Sequence, residues 1–432
     1  VFEFWLAISL PLRLATLAII GLLGGAVANY VIYTWCWLPR PISPWAPPSA
    51  DAPARRKLDY VPLLGWFSLR REVKLHGRGF WIRPLLIELG LAIAIPALYL
   101  FETQNGGMLA ESLQVPEVLQ LPWLITWGHR IFLGHAVLLM LMVAATFIDF
   151  DEQTIPDIIT VPGTLFALLL GAISYWGFMP ISLPIGDAPT SLHQATFGVP
   201  WFPEPRGPGA SDFEKWWTST GLLCGLAIWS GWCFALADRR LILRKGYAKA
   251  IEFFCAGLVR HATWKWLLGI WIAGLIAISI VFQLGGIHWH GLLSSLIGLA
   301  VGGGVVWAIR IVASNAMGVE AMGFGDVTLM AMIGAFLGWQ AAVAAFFLAP
   351  FAAIVIVIIQ FMVTREPRIP FGPYLCAGAA LTVIGWDRVM NQWFLPNLYF
   401  LGSFIFWLSF GMLALMGGML FVWRHIKQRI FA

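Results

Sequence analysis

The sequence predicts an all-α, polytopic integral membrane helix bundle. Three observations carry that reading. Of 432 residues, 59% are apolar and 11% charged, whereas a soluble domain has about 45–50% apolar and about 25% charged residues. So few charges cannot cover a soluble globule, and so many apolar residues exclude a disordered chain. The 24 Trp and 31 Phe suit a bilayer, where aromatic rings collect at the interfaces. Mostly apolar runs of about 20 residues, long enough to cross a hydrocarbon core, recur along the chain and give about eleven transmembrane segments.

In order, spans are expected at 12–35, 84–102, 131–148, 160–178, 217–237, 266–287, 292–313, 327–338, 340–363, 372–386 and 398–423. The eighth is short and runs into the ninth as one uncharged stretch, Val327 to Val363. Gly334, Gly338 and Trp339 mark the expected break. The basic residues sort by loop. Segments 36–83, 238–265, 364–371 and the tail after Trp423 hold nine, seven, two and three, which is 21 of the 27 Lys and Arg. The alternate loops hold only Arg130, Arg206, Lys215 and Arg388. By the positive-inside rule the first set is cytoplasmic, the N-terminus faces out and the C-terminus is cytoplasmic. The first span has no basic n-region, so no cleaved secretory signal is expected. Pro39 to Pro53 reads as the flexible start of a cytoplasmic loop, and 179–216, rich in Pro and Gly, as a long outside loop. Four regions follow: 1–102, N-terminal helices and cytoplasmic loop; 103–178, helices bearing a first acidic cluster; 179–291, an outside loop and an extra helical hairpin; 292–432, a second acidic motif and the C-terminal helices.

Chemistry is concentrated in two acidic stretches on the cytoplasmic side. Asp149, Asp151, Glu152 and Asp157 follow the third span, and Glu320 and Asp326 precede the eighth in Glu-Ala-Met-Gly-Phe-Gly-Asp. Neither stretch contains Lys or Arg, although the other cytoplasmic loops are basic. Two carboxylates at one boundary can act as an acid/base pair, one activating water while the other donates a proton. Asp326 opens an apolar helix, where the dipole favours negative charge, and Asp149 ends one, where it does not. Asp149 is therefore expected to hold its proton more tightly. Gly323 and Gly325 allow close backbone approach. Asp157 and Glu320 read as helix caps or as substrate-positioning groups.

These stretches resemble the two signatures of bacterial type IV prepilin leader peptidases, which are GxGD aspartic proteases. Further segments are similar in the same order: Gly25 to Tyr33, Asp59 to Trp66, Trp81 to Leu89 and Ile369 to Pro373. The resemblance spans roughly 21–175 and 292–386. It implies that Asp149 and Asp326 are the catalytic pair, that the enzyme is a multi-pass inner-membrane endopeptidase, and that its partners are prepilin or pseudopilin substrates with a basic leader and an apolar helix. The acid-only surface suits such a leader. The resemblance also implies a second activity, S-adenosylmethionine-dependent N-methylation of the new N-terminus. That activity stays open, because the first cytoplasmic loop lacks the CxxC pairs that hold zinc in many members. Its Arg70 to Arg78 stretch offers only His76 as a soft ligand, far short of a four-ligand site. Zinc is thus not supported, and proteolysis needs no metal. Thr328 stands where the family usually has Lys, and 179–291 is longer than the family needs.

Other readings are weaker. The five Cys (Cys36, Cys224, Cys233, Cys255 and Cys376) form no CxxC pair, so no disulfide framework is expected. His288 and His290 read as interface residues of an outside loop and His135 as a packed, hydrogen-bonded core residue. Glu88 and Arg310 snorkel or pair near helix ends, and Asn29 joins helices. No phosphate-binding loop motif occurs, and the net charge of +5, carried by the loops, is no sign of a nucleic-acid partner. A secondary transporter and a catalytically silent assembly scaffold are the alternatives. Transporters place ionisable groups near the midplane, in repeated halves, and neither feature is evident here.

Overall fold

The computed structural model describes residues 2–173, 177–185, 188–197, 216–237, 263–318, 322–363, 370–402 and 404–431. Among the described residues a helix falls on each expected span: α1 (Leu10–Thr34), α2 (Ile82–Tyr99), α3 (Pro122–Glu152), α4 (Asp157–Ile173), α5 (Ser219–Leu236), α6 (Thr263–Leu284), α7 (Gly286–Met317), α8 (Phe324–Leu337), α9 (Trp339–Val363), α10 (Gly372–Ile384) and α11 (Phe404–Phe431). Eight of them are long and apolar enough to cross a bilayer. α4, α8 and α10 are shorter apolar helices. The chain is an all-α polytopic membrane protein.

Local sequence sets the breaks. Pro122 opens α3, where a missing N–H costs nothing, and Gln153 ends it in the left-handed region at φ 55°. Gly338 separates α8 from α9 at φ 87°, a conformation glycine adopts without strain. α8 is buried from Asp326 through Leu337. At 14 residues it reaches only about 21 Å, short of a roughly 30 Å hydrocarbon core. Protein surrounds it, so it need not span lipid alone, and its sequence is apolar all round.

The helices pack as pairs, α1 with α2, α7 with α8 and α9 with α10, and α3 touches α1, α2 and α10. α4 lies on α7 and α8, and the α5–α6 hairpin packs on α7. The expected outside loop contains a β-hairpin, β1 (Pro180–Ile185) and β2 (Ala188–Gln194), with Ile181 opposite His193. Sequence reading missed it because Pro180 and Pro184 look like strand breakers. It is anchored by Trp386 Nε1–H to the Pro180 carbonyl and by Ser182 N–H to Asn391 Oδ1 (3.1 Å).

The loop between α1 and α2, expected to be cytoplasmic, folds on itself and onto α2. Arg71 Nη1 donates to Asp59 Oδ1 at 2.8 Å, and Arg55 pairs with Glu72. Of the two roles expected for Glu88, snorkelling or pairing, the structure excludes the first. It is 2% exposed and accepts from Trp66 Nε1 (2.8 Å), Leu63 N (2.6 Å) and Asn29 Nδ2 (3.2 Å). Desolvating a carboxylate is tolerable when so many donors meet it. Asn29 also donates to the Pro84 carbonyl, which bears out its role in joining α1 to α2.

Candidate active site

Three helix ends converge at one end of the bundle. Asp149 lies in the last turn of α3, Asp326 in the first turn of α8, and Gly372 begins α10. Asp149 and Asp326 are 4% and 8% exposed, and each lies within electrostatic reach of the other. Gly323 is the N-cap of α8, three residues before Asp326, and a Cβ built on it would lie 3.6 Å from the Asp326 carboxylate, so the N-terminus of α8 faces that group. The Gly372 N–H, an orphan donor of the α10 N-terminus, donates to Asp149 Oδ2 at 2.9 Å. Each aspartate thus meets a helix N-terminus. The ranking expected from their own helices loses its ground, because α10 supplies Asp149 with the donor that α3 lacks.

Gly325 is sterically required. A Cβ there would lie 2.9 Å from the Ile155 carbonyl oxygen and 3.0 Å from its Cβ. Gly323 is not, since a Cβ would meet only ordinary contacts. Asp157 is exposed in the first turn of α4, and among the described residues no hydrogen bond or ion pair holds it, so it caps nothing. Glu320 lies outside the described residues. The acid-only surface is also reduced. Asp151 accepts both Arg83 Nη1 and Nη2 at 2.7 Å and lies 3.3 Å from Arg40. Glu152 accepts the N–H groups of Trp37 and Leu38 at 2.8 Å. These two acids tie the start of the first loop, through Trp37, Leu38 and Arg40, and the start of α2, through Arg83, to the end of α3.

The remaining candidates separate from this site. His135 Nδ1 lies 2.6 Å from Glu102 Oε1, both buried, which is the packed role expected. His288 and His290 belong to the first turns of α7, not to a loop. His288 Nδ1 bonds the Ala172 carbonyl, and the His290 ring lies 4.8 Å from that of Phe197, tilted by 43°. In the first loop His76 Nε2 lies 3.4 Å from Glu72 Oε2, but Glu72 is already paired with Arg55 and Arg71 lies 3.9 Å away. One imidazole and a carboxylate between two guanidinium groups do not fit zinc.

Sequence reading missed three neighbours of the pair. Gly372 was visible only as part of a motif. Cys376, one turn further along α10, is buried within electrostatic reach of both aspartates. Arg310 of α7 donates from Nε to the Met322 carbonyl at 2.8 Å, lies 5.6 Å from the Phe324 ring centre and acts electrostatically on Asp326. Only the packing of α7 against α8 brings it there.

Fold and site together define a polytopic membrane protein with a buried aspartate pair. Residues 258–358, which include Asp326, match the type IV leader peptidase family. The chain is 32% identical over 124 residues to the prepilin leader peptidase/N-methyltransferase of Aeromonas hydrophila, covering 25% of this chain and 42% of that protein. With the protein of the same name from Stutzerimonas stutzeri it is 26% identical over 233 residues, 47% of this chain and 78% of the other. With that of Neisseria gonorrhoeae it is 28% identical over 184 residues, 40% and 59%. The relationship to type IV leader peptidases that the motifs pointed to is thereby shown, although the chain spans under half the length of the Aeromonas relative. No solved structure matches.

Proposed function

We propose that the protein is an aspartic endopeptidase of the inner membrane that removes the basic leader from prepilins or pseudopilins at the cytoplasmic face. The observation that carries this reading is the buried pair, Asp149 and Asp326, drawn from remote stretches to one end of the bundle. One carboxylate takes a proton from water as its oxygen attacks the scissile carbonyl carbon. The other, protonated, hydrogen-bonds and protonates the carbonyl oxygen. The resulting diol collapses, the C–N bond breaks, and the leaving amine takes a proton from the pair. The Gly372 N–H holds the Asp149 carboxyl for these transfers, and the first turn of α8 holds that of Asp326. Asp157, exposed in the first turn of α4, is, among the described residues of the two acidic stretches, the acid that remains for a basic leader.

In this reading 1–102 supports the site and carries any second activity, 103–178 and 292–432 supply the catalytic aspartates, and 179–291 is an insertion. Proteolysis uses no metal. N-methylation would use S-adenosylmethionine. The test is cleavage of a prepilin in liposomes by wild type, Asp149→Ala and Asp326→Ala. Each substitution should cost about 10²–10⁴-fold in rate, and full cleavage by either variant would end the assignment. The mass of the mature N-terminus, with or without one methyl group, decides the second activity.

A further inference from the structure

The first cytoplasmic loop presents an apolar surface that proteolysis does not use. Leu58, Tyr60, Val61, Leu64 and Phe67 are exposed. Trp45 meets Tyr60 edge-on at 5.5 Å, and Trp81 lies 5.6 Å from Phe67, so the two ends of this stretch carry further aromatic rings. These residues lie outside the membrane-crossing helices. An exposed cluster of large apolar side chains outside the spans marks a contact surface.

Its depth is set by hydrogen bonds. The loop is tied to α1 at Thr34 and to α2 at Ile82. Leu63 N–H and Trp66 Nε1–H both donate to Glu88, which lies six residues into α2, about 9 Å along its axis. The short helix Leu64–Leu69 is therefore drawn membrane-ward of the start of α2. Leu64 and Phe67, three residues apart on one face, are exposed at that level, whereas Trp66 and Leu69 are buried.

Charge identifies the occupant. Arg56, Lys57, Lys74 and Arg78 are exposed, and among the described residues no carboxylate pairs with them. Asp59 and Glu72 are engaged by Arg71 and Arg55, which leaves Asp51 as the loop's remaining acid. Arg70 lies over the Trp81 ring at 3.8 Å. A basic leader would be repelled here, whereas an anionic leaflet would be attracted.

We propose that residues 57–69, with Trp45 and Trp81, form an interfacial seat for anionic phospholipid on the cytoplasmic leaflet. The apolar side chains enter the boundary between headgroups and acyl chains, as in interfacial helices, and the four free cations meet lipid phosphates. This seat does not depend on the peptidase reading.

The test is hydrogen exchange of the full chain, followed by mass spectrometry, in phosphatidylcholine bilayers with and without phosphatidylglycerol. Peptides covering 57–69 should exchange about tenfold more slowly in the anionic bilayer. About 1 M salt should abolish that difference, because the screening length falls to about 3 Å. Lys57→Glu combined with Lys74→Glu should also abolish it, and Leu64→Ser combined with Phe67→Ser should remove protection in both bilayers. Unchanged exchange of α7 and α8 peptides checks that each variant folds. Equal exchange in the two bilayers, or protection that arises only when a pilin-like protein is added, would overturn the proposal.

Discussion

Gly372 positions the Asp149 carboxylate by having no side chain. A Cβ there would lie 2.6 Å from Asp149 Oδ2 and 2.7 Å from Ile155 Cδ1, so the Gly372 N–H can reach the carboxylate only while the position is bare. Gly372→Ala should push Asp149 away and lower the cleavage rate at least about tenfold, with the thermal midpoint shifting only slightly, since one contact is overpacked and not a core layer. Rate and midpoint measured on one preparation separate those effects. Arg310 makes a second residue-scale case. Thr328, which stands where a Lys was expected, bonds back to the Gly325 carbonyl within its own helix, and the cation near Asp326 comes from α7. Arg310→Gln should slow cleavage and alter its pH profile, while Arg310→Lys should restore the charge without the bond to Met322 and recover only part of the rate. Identical pH profiles for all three proteins would refute a role for the charge. The aspartates were legible because acid-only stretches stand out on a basic face. Arg310 was not, because nothing in the spacing of residues 310 and 326 announces that two helices will pack.

At the scale of elements, the spans were legible because each is an apolar run bounded by charge, Pro or Gly. The β-hairpin was not, since its strands contain the residues that usually exclude strands. The fold of the first loop was also hidden, because its stability comes from buried ion pairs between residues that look solvated. Asp59 makes this testable. Burial alone would raise its proton affinity, but hydrogen bonds from Arg71, the Arg56 N–H and Ser68 outweigh burial and hold the carboxyl well below the usual carboxylate range. A group depressed in the folded state stabilises fully above its unfolded pKa of about 3.9 and loses that contribution as pH falls through the folded value. Protection of the loop from hydrogen exchange, corrected for intrinsic rate, should be flat from about pH 7 to about pH 5 and decline below about pH 4. Asp59→Asn should expose the loop at neutral pH and flatten the dependence. A variant as protected as wild type would show that the pair with Arg71 does not hold the loop.

For the whole molecule, the decisive feature is that the two aspartates ride on different helix pairs, Asp326 on α7–α8 and Asp149 on α3, which packs on α10. Which helices pair was not readable, because a helix facing lipid and a helix facing protein are both apolar and leave no stripe to contrast. Small residues decide it instead. A Cβ on Gly298 of α7 would lie 2.0 Å from the Gly334 carbonyl oxygen of α8, and one on Gly334 would lie 2.1 Å from that of Gly298. The two backbones are in direct contact, so a larger residue must drive the helices apart. Gly298→Val should therefore cost about 1–3 kcal/mol and, by moving α8, separate Asp326 from Asp149. Both the thermal midpoint and the cleavage rate should fall. Trp407→Ala on α11, where the side chain is 74% exposed, is the matched control and should leave both unchanged. If Gly298→Val lowered the midpoint yet cleaved at the wild-type rate, the site would not depend on the α7–α8 contact, and Asp326 would have to be held by its own helix cap alone.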